Sequence, residues 1–255
     1  MFRHRHGLPD DWADIVAANV GLWAPLDADE RAGVEANADW LLRQKHWEAA
    51  NGYALTDEML VTISVQAALL VLGLTVDEYR EVSAVVVFPT TIESRGERDG
   101  PIPGTVTDDV FPVLGEAHSR RGPVLLAWDQ VLHDARHPHA GRNVVLHEFA
   151  HKLDMLDHVI DGTPLLDNRR DLDRWIAVCT EAYDALRAGD DRPPLDPYGA
   201  TDVGEFFAVA TESFFAASVA LRTHEPDLYD VLRDYYGQDP AARLGRSDRA
   251  PGPSS

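Results

Sequence analysis

The sequence predicts an α+β protein: a helical N-terminal part, a small mixed sheet, and a helical C-terminal part that includes one amphipathic helix carrying the chemistry. Three observations predict it. Capped helical runs fill the first third of the chain, two short β-branched runs follow, and helical periodicity returns from about Asn143. The 255 residues suffice for one large domain with a substantial core.

The elements follow in order. Asp27 and Glu30 form a capping-box pattern that starts a helix running to Arg43. Thr56 ahead of Asp57 and Glu58 marks a second start, and Gly73 a stop. The apolar run between them, from Met59 to Leu74, is interrupted by Thr62, Ser64 and Gln66. It is shorter than the ~20 residues of a membrane span, so it reads as a buried core helix. Ser83–Phe88 is β-branched and ends at Pro89, which predicts a strand. Thr90–Gly104 is rich in charge, Gly and Pro and reads as a loop, and Val124–Ala127 is a second short strand. His133–Gly141 reads as a polar loop containing His133, His137 and His139. Helices are predicted over Asn143–His158, Asp171–Arg187, Val203–Ala217 and Pro226–Tyr236. The polar, Pro/Gly-rich stretch 241–255 is predicted to be a disordered tail.

Composition narrows the function classes. A formal net charge of −20 repels phosphates and argues against a nucleic-acid partner. The single cysteine, Cys179, forms no internal disulfide and reads as a small buried apolar residue. No secretory signal or membrane span is evident, so a soluble cytoplasmic protein is expected.

The chemistry is concentrated in His147-Glu148-Phe149-Ala150-His151, an HExxH pattern. Residues four apart share a helix face one turn apart, so two imidazoles can bind one metal from the same side. The glutamate beside the first histidine lies at the edge of that face, where it can hold a metal-activated water. Leu146, Phe149, Ala150 and Leu153 form a separate apolar stripe, so the histidines do not belong to the core face. HExxH alone arises by chance in a chain of this size on the order of a few per cent of the time, so further ligands must support it.

A catalytic site needs a third protein ligand and an open position. The stretch from Tyr198 to Glu212 offers Glu205 and Glu212, seven residues apart on one helix face and separated by ~10 Å of rise. Only one of them can join the histidines. Glu205 also fits a capping box with Asp202, and Glu212 also fits a solvated carboxylate or one that supports a ligand. Glu205 is favoured because Tyr198, in the loop just before the helix, then reaches the same site. There its hydroxyl can donate to the oxyanion of a tetrahedral intermediate. Asp154, one turn beyond His151, is equally a partner of a ligand histidine or a surface aspartate. Asp157 reads as a solvated or loop-ordering carboxylate. Val124–Ala127 is a candidate edge for pairing with an extended substrate.

HEFAHKLDMLD (His147–Asp157) and DPYGATDVGEFFAVATESFF (Asp196–Phe215) resemble the Mlc titration factor A (MtfA) family of zinc peptidases. So do Leu55–Leu74, Gly122–Leu132 and Tyr235–Pro240, so the resemblance covers nearly the whole chain. Tyr198–Ala208 is also similar to the active-site segment of anthrax lethal factor. The resemblance implies one Zn2+ per chain held by His147, His151 and Glu205, with Glu148 as catalytic base and Tyr198 as transition-state stabiliser. It implies a zincin-like metallopeptidase domain of the gluzincin type, placed over residues 1–240, hydrolysing amide bonds with a zinc-activated water. It further implies a cytoplasmic peptidase active on short peptides, partly as an aminopeptidase, and a transcriptional repressor as a second partner. The departures are His158, where a glycine is expected, and the histidine-rich loop at His133–His139. The competing class is a binding protein that sequesters a regulator around a structural or vestigial zinc, with His137 or His139 completing four ligands.

Overall fold

The computed structural model of the chain describes residues 7–90, 122–157 and 159–247. Its helices are α1 (Trp12–Asn19), α2 (Ala28–Gln44), α3 (Asp57–Leu70), α4 (Trp128–Arg136), α5 (Val144–Asp154), α6 (Arg169–Arg187), α7 (Val203–Ala216), α8 (Ser218–His224), α9 (Pro226–Tyr236) and α10 (Pro240–Ser247). The strands are β1 (His46–Ala49), β2 (Ala84–Phe88) and β3 (Val124–Ala127). The fold is α+β, as the sequence predicts. Among the described residues the sheet has the order β1-β2-β3 and is parallel throughout rather than mixed as expected, with His46 opposite Ala84 and Val85 opposite Val124. Parallel neighbours need a crossover, and α3 lies in the one between β1 and β2.

The first two predicted helices form for the reasons the sequence suggests. Asp27 Oδ1 accepts from the Glu30 amide and Glu30 Oε2 accepts from the Asp27 amide, both at 3.0 Å, so the capping box of α2 is complete. Thr56 caps α3 through the Met59 amide. Every residue of α3 from Met59 to Leu70 is buried, as a helix that is apolar all round must be. Its interrupting polar groups are all bonded. Ser64 donates to the Leu60 carbonyl, Gln66 to the Thr62 carbonyl, and Thr62 Oγ1 accepts from Asn19. Gln66 Oε1 also accepts from Asn143 Nδ2 at 2.6 Å, which links the core helix to the start of α5.

Several elements differ from the sequence expectation. His133–Arg136 is not loop but the last part of α4, whose Val131, Asp134 and Ala135 are buried at helical spacing. The stretch expected to be disordered from Ala241 begins as α10. Arg243 is buried there, donating to Glu30 at 2.7 Å and to Gln238 at 2.8 Å, so the helix is anchored to the start of α2. α1, β1 and α8 form where the sequence carries no clear signal. Most of the loop expected over Thr90–Gly104 lies outside the described residues. Among the described residues no single helix is long and apolar enough to cross a membrane.

Candidate metal centre

The helix that carries HExxH is held at its N-terminus by its own cap and by two other elements. Asn143 caps it, its side chain accepting from the Leu146 amide at 3.1 Å. Glu212 of α7 accepts from the Asn143 amide, and Asp134 of α4 accepts from the Val144 amide at 3.0 Å. These carboxylates satisfy amides that a helix start leaves unpaired, and they lie at its positive end. α5 packs along α7, so the histidines face the glutamates.

The resulting geometry brings together His147, His151 and Glu205. The Nε2 atoms of the two histidines lie 3.2 Å apart, with the rings at 82° to each other. Glu205 Oε2 lies 3.1 Å from His147 Nε2 and 3.6 Å from His151 Nε2. Among the described His, Cys, Asp and Glu side chains, these three form the group able to hold a metal. Asp202 does cap α7 through the Glu205 amide, at 2.9 Å. The Glu205 side chain, however, turns to the histidines, and among the described residues its buried Oε2 has no hydrogen-bond partner.

Glu212 approaches the same ring from the other side. Its Oε1 lies 2.7 Å from His147 Nδ1, and the residue is 7% exposed. The carboxylate on Nδ1 requires a proton there, which leaves the Nε2 lone pair of a neutral His147 facing the carboxylate of Glu205. Such an arrangement needs a positive charge at its centre, from a proton or a metal ion. Without metal the proton supplies it. Burial opposes charge on His147, but its ion pairs with Glu205 and Glu212 outweigh burial and lift its pKa to about 10. Burial likewise raises Glu205, but its pairing with both histidines holds it far below the usual carboxylate range. Two imidazole nitrogens and an otherwise unpartnered carboxylate oxygen converging in a buried site are the donor set a divalent cation requires.

Glu148 sits beside the pair, and burial raises its pKa against the opposing effect of the two histidines. Tyr198 lies on a short turn, Pro197–Ala200, with its ring centroid 6.3 Å from that of His147. Burial, followed by the Glu205 charge, keeps its hydroxyl protonated. Asp154 is not a surface aspartate. It is fully buried, accepts from the Gly162 amide at 3.2 Å, and its other oxygen has no partner among the described residues. Burial lifts its pKa to about 6, and the charge of His151 opposes this. The backbone of Asp157 ends a single 3-10 turn, and His158 lies outside the described residues.

His133 and His137 stack on each other at 4.4 Å on the exposed side of α4. His139 lines a different cavity, beside Leu22 and Phe215. Neither His137 nor His139 belongs to the converging group. Cys179 is no nucleophile, because burial pushes its thiol up to about 12. A cavity of about 300 Å³ opens beside His147 and Tyr198, with Asp134, Arg142, Val144 and Val209 in its walls. A cavity of about 330 Å³ between Leu165, Trp175 and Tyr235 shares none of these residues. Sequence reasoning did not single out Asn143, Gln66, Arg142 or Asp196. The Asn143 cap three residues before Leu146 was the one local signal available.

Comparison with known proteins places the chain among metallopeptidases. A family model described as glucose-regulated metallo-peptidase M90 matches residues 2–237. The chain is 35% identical over 236 residues to an uncharacterized protein of Synechocystis sp., covering 91% of this chain and 86% of that one. It is 34% identical over 234 residues to Mlc titration factor A of Pectobacterium atrosepticum, covering 89% and 86% of the two chains. The Serratia proteamaculans protein of that name is 32% identical over 244 residues, with coverage of 92% and 89%.

Proposed function

The chain belongs to the glucose-regulated metallo-peptidase M90 family, and we propose that it is a zinc-dependent peptidase whose metal is held by His147, His151 and Glu205. Membership of a metallopeptidase family implies a bound metal and peptide substrates. Two imidazoles and one carboxylate suit zinc, and three protein donors are the open set of catalytic rather than structural sites. When bound, zinc polarises a carbonyl and lowers the pKa of water towards ~7.

The chain's own residues do the rest. Glu148 takes a proton from the attacking water and returns it to the leaving amine. Its burial-raised pKa suits a group that must both accept and give a proton. The Tyr198 hydroxyl donates to the carbonyl oxygen as negative charge develops there. Glu212 accepts from His147 Nδ1, fixing the tautomer and ring orientation of that ligand. An extended peptide pairs with the outer edge of β3, an edge strand among the described residues. Short peptides, cleaved in part from the amino end, are the proposed substrates, and the cytoplasm is the proposed location. Binding of a repressor is a proposed second role, supported by the name of the relatives. Failure of the purified chain to bind a glucose-responsive repressor at micromolar concentrations would remove it.

One observation carries this reading: His147 Nε2, His151 Nε2 and Glu205 Oε2 converge within 3.1–3.6 Å in a site where Glu212 holds Nδ1 of the same His147. The test is Glu148→Gln, which keeps the shape but cannot accept a proton. Zinc content should stay near wild type while peptide release falls roughly a hundredfold or more. A fully active, zinc-loaded variant would refute the mechanism.

A further inference from the structure

We propose that Arg142 and Asp196 form a clamp that positions Tyr198 beside the metal centre, an inference that rests on the role given to Tyr198 above. Tyr198 is unusual among the site residues because it sits on a short turn rather than on α5 or α7, and it is 39% exposed. A loop residue that must place one hydroxyl accurately needs its backbone fixed from outside.

Asp196 does this with both oxygens. Oδ1 accepts from the Tyr198 amide at 2.9 Å. Oδ2 accepts from Arg142 through Nε at 2.9 Å and also through Nη2. Arg142 immediately precedes Asn143, the cap of α5, whose amide is held by Glu212. One aspartate therefore ties the tyrosine's backbone to the start of the helix that carries the histidines, across 54 residues of sequence. The other side of the turn is fixed as well. The Tyr198 carbonyl accepts from the Thr201 hydroxyl at 2.7 Å and from the Thr201 amide at 3.0 Å. Gly199 lies so close to Leu186 and Val209 that an added Cβ would stand 3.3 Å from each. Arg142 and Asp196 touch neither Glu205 nor a histidine in any hydrogen bond described above. Their influence on the site runs through Tyr198. Arg142, Asp196, Tyr198 and His147 also share the wall of the 300 Å³ cavity, so the clamp borders the space in which a substrate would lie.

The experiment compares Arg142→Ala, Asp196→Asn and Tyr198→Phe, singly and combined, in the full metal-loaded chain. Asn at 196 can still accept from the Tyr198 amide but loses the charge that holds Arg142. The pair is partly exposed, so Arg142→Ala and Asp196→Asn should each lower kcat about three- to tenfold. KM for a short peptide and zinc content should not change. In the Tyr198→Phe background Arg142→Ala should add nothing, because the hydroxyl it positions is gone. Arg142→Lys, which keeps one charged donor, should recover part of the loss. A second readout does not depend on turnover. With fluorotyrosine placed at Tyr198, fluorine NMR of the metal-free chain should show one sharp line that shifts or broadens in Arg142→Ala.

An unchanged line, a multiplied loss in the double variant, or loss of zinc from Arg142→Ala would each overturn the clamp. If Tyr198→Phe kept full activity, the oxyanion role would fall. The fluorine signal would then still decide whether Arg142 and Asp196 fix the ring.

Discussion

Replacing Glu205 and Glu212 one at a time should have different consequences, although both touch His147. Glu205→Ala removes one of three metal donors and an oxygen that makes no other hydrogen bond. The variant should stay empty at zinc concentrations that fill the wild type, and below about pH 10 its metal-free chain should also lose the stability of the Glu205 pairing with His147. Glu212→Ala removes the acceptor of two buried donors, His147 Nδ1–H and the Asn143 amide. An unsatisfied buried donor costs roughly 1–3 kcal/mol, so the metal-free chain should lose about 2–5 kcal/mol. In a chain of this size that lowers Tm by roughly 5–15 °C. Losing the carboxylate behind a ligand histidine should weaken metal binding about 10- to 100-fold without abolishing it. The assays are competitive zinc titration against a chromophoric chelator and thermal unfolding with excess EDTA. The reasoning fails if Glu212→Ala empties the site while Glu205→Ala stays loaded.

Three further outcomes follow from the structure. In the metal-free chain the His147 pKa is raised from 6.5 to about 10, so the stability it contributes is complete below pH 6.5 and disappears as pH rises towards 10. Denaturation in EDTA should show wild type losing a few kcal/mol over that window relative to His147→Gln; equal slopes would contradict the pairing. Cys179, half-buried and with its thiol pushed up to about 12 from 9.0, should react with iodoacetamide at pH 8 roughly a thousandfold more slowly in the native chain than in denaturant; rapid native labelling would refute the raised thiol. Gly162 has φ +71°, and a Cβ there would meet the Val203 carbonyl oxygen at 2.4 Å. Gly162→Ala should therefore displace the start of α7 and, with it, Glu205, lowering both Tm and zinc affinity; unchanged zinc affinity would show that this contact does not set the ligand position.

What could be read from the sequence was local. The capping box of α2, the Thr56 cap and the i, i+4 histidines are all written within a few residues, and each forms as its spacing requires. The elements that were missed owe their structure to distant partners. β1 reads His-Trp-Glu-Ala, with no β-branched residue, and is a strand because β2 pairs with it. α10 has a polar, Pro/Gly-rich flank and is held by Arg243 bonding Glu30, more than 200 residues earlier. The histidines of α4 hide a helical period carried by Val131, Asp134 and Ala135. Asp154 is ambiguous from spacing alone because its burial depends on the loop at Gly162, which its own helix cannot reveal.

The relation between the two glutamates shows where spacing arguments stop. Seven residues of helix rise ~10 Å, so the two carboxylates cannot meet at one point. That leaves unstated what the second carboxylate does. An imidazole has two nitrogens on opposite edges, and α7 runs along the helix that carries His147. The ring, with a contact of 2.7 Å on Nδ1 and 3.1 Å on Nε2, spans most of the ~10 Å between the two glutamates. The same two-turn step that keeps Glu212 out of the converging group thus places it behind His147. There it also takes the amide of Asn143 and ties the cap of α5 to the middle of α7. A carboxylate in that position holds the histidine's tautomer and the helix start together, so the nitrogen that faces Glu205 and the element that carries it are oriented by one side chain.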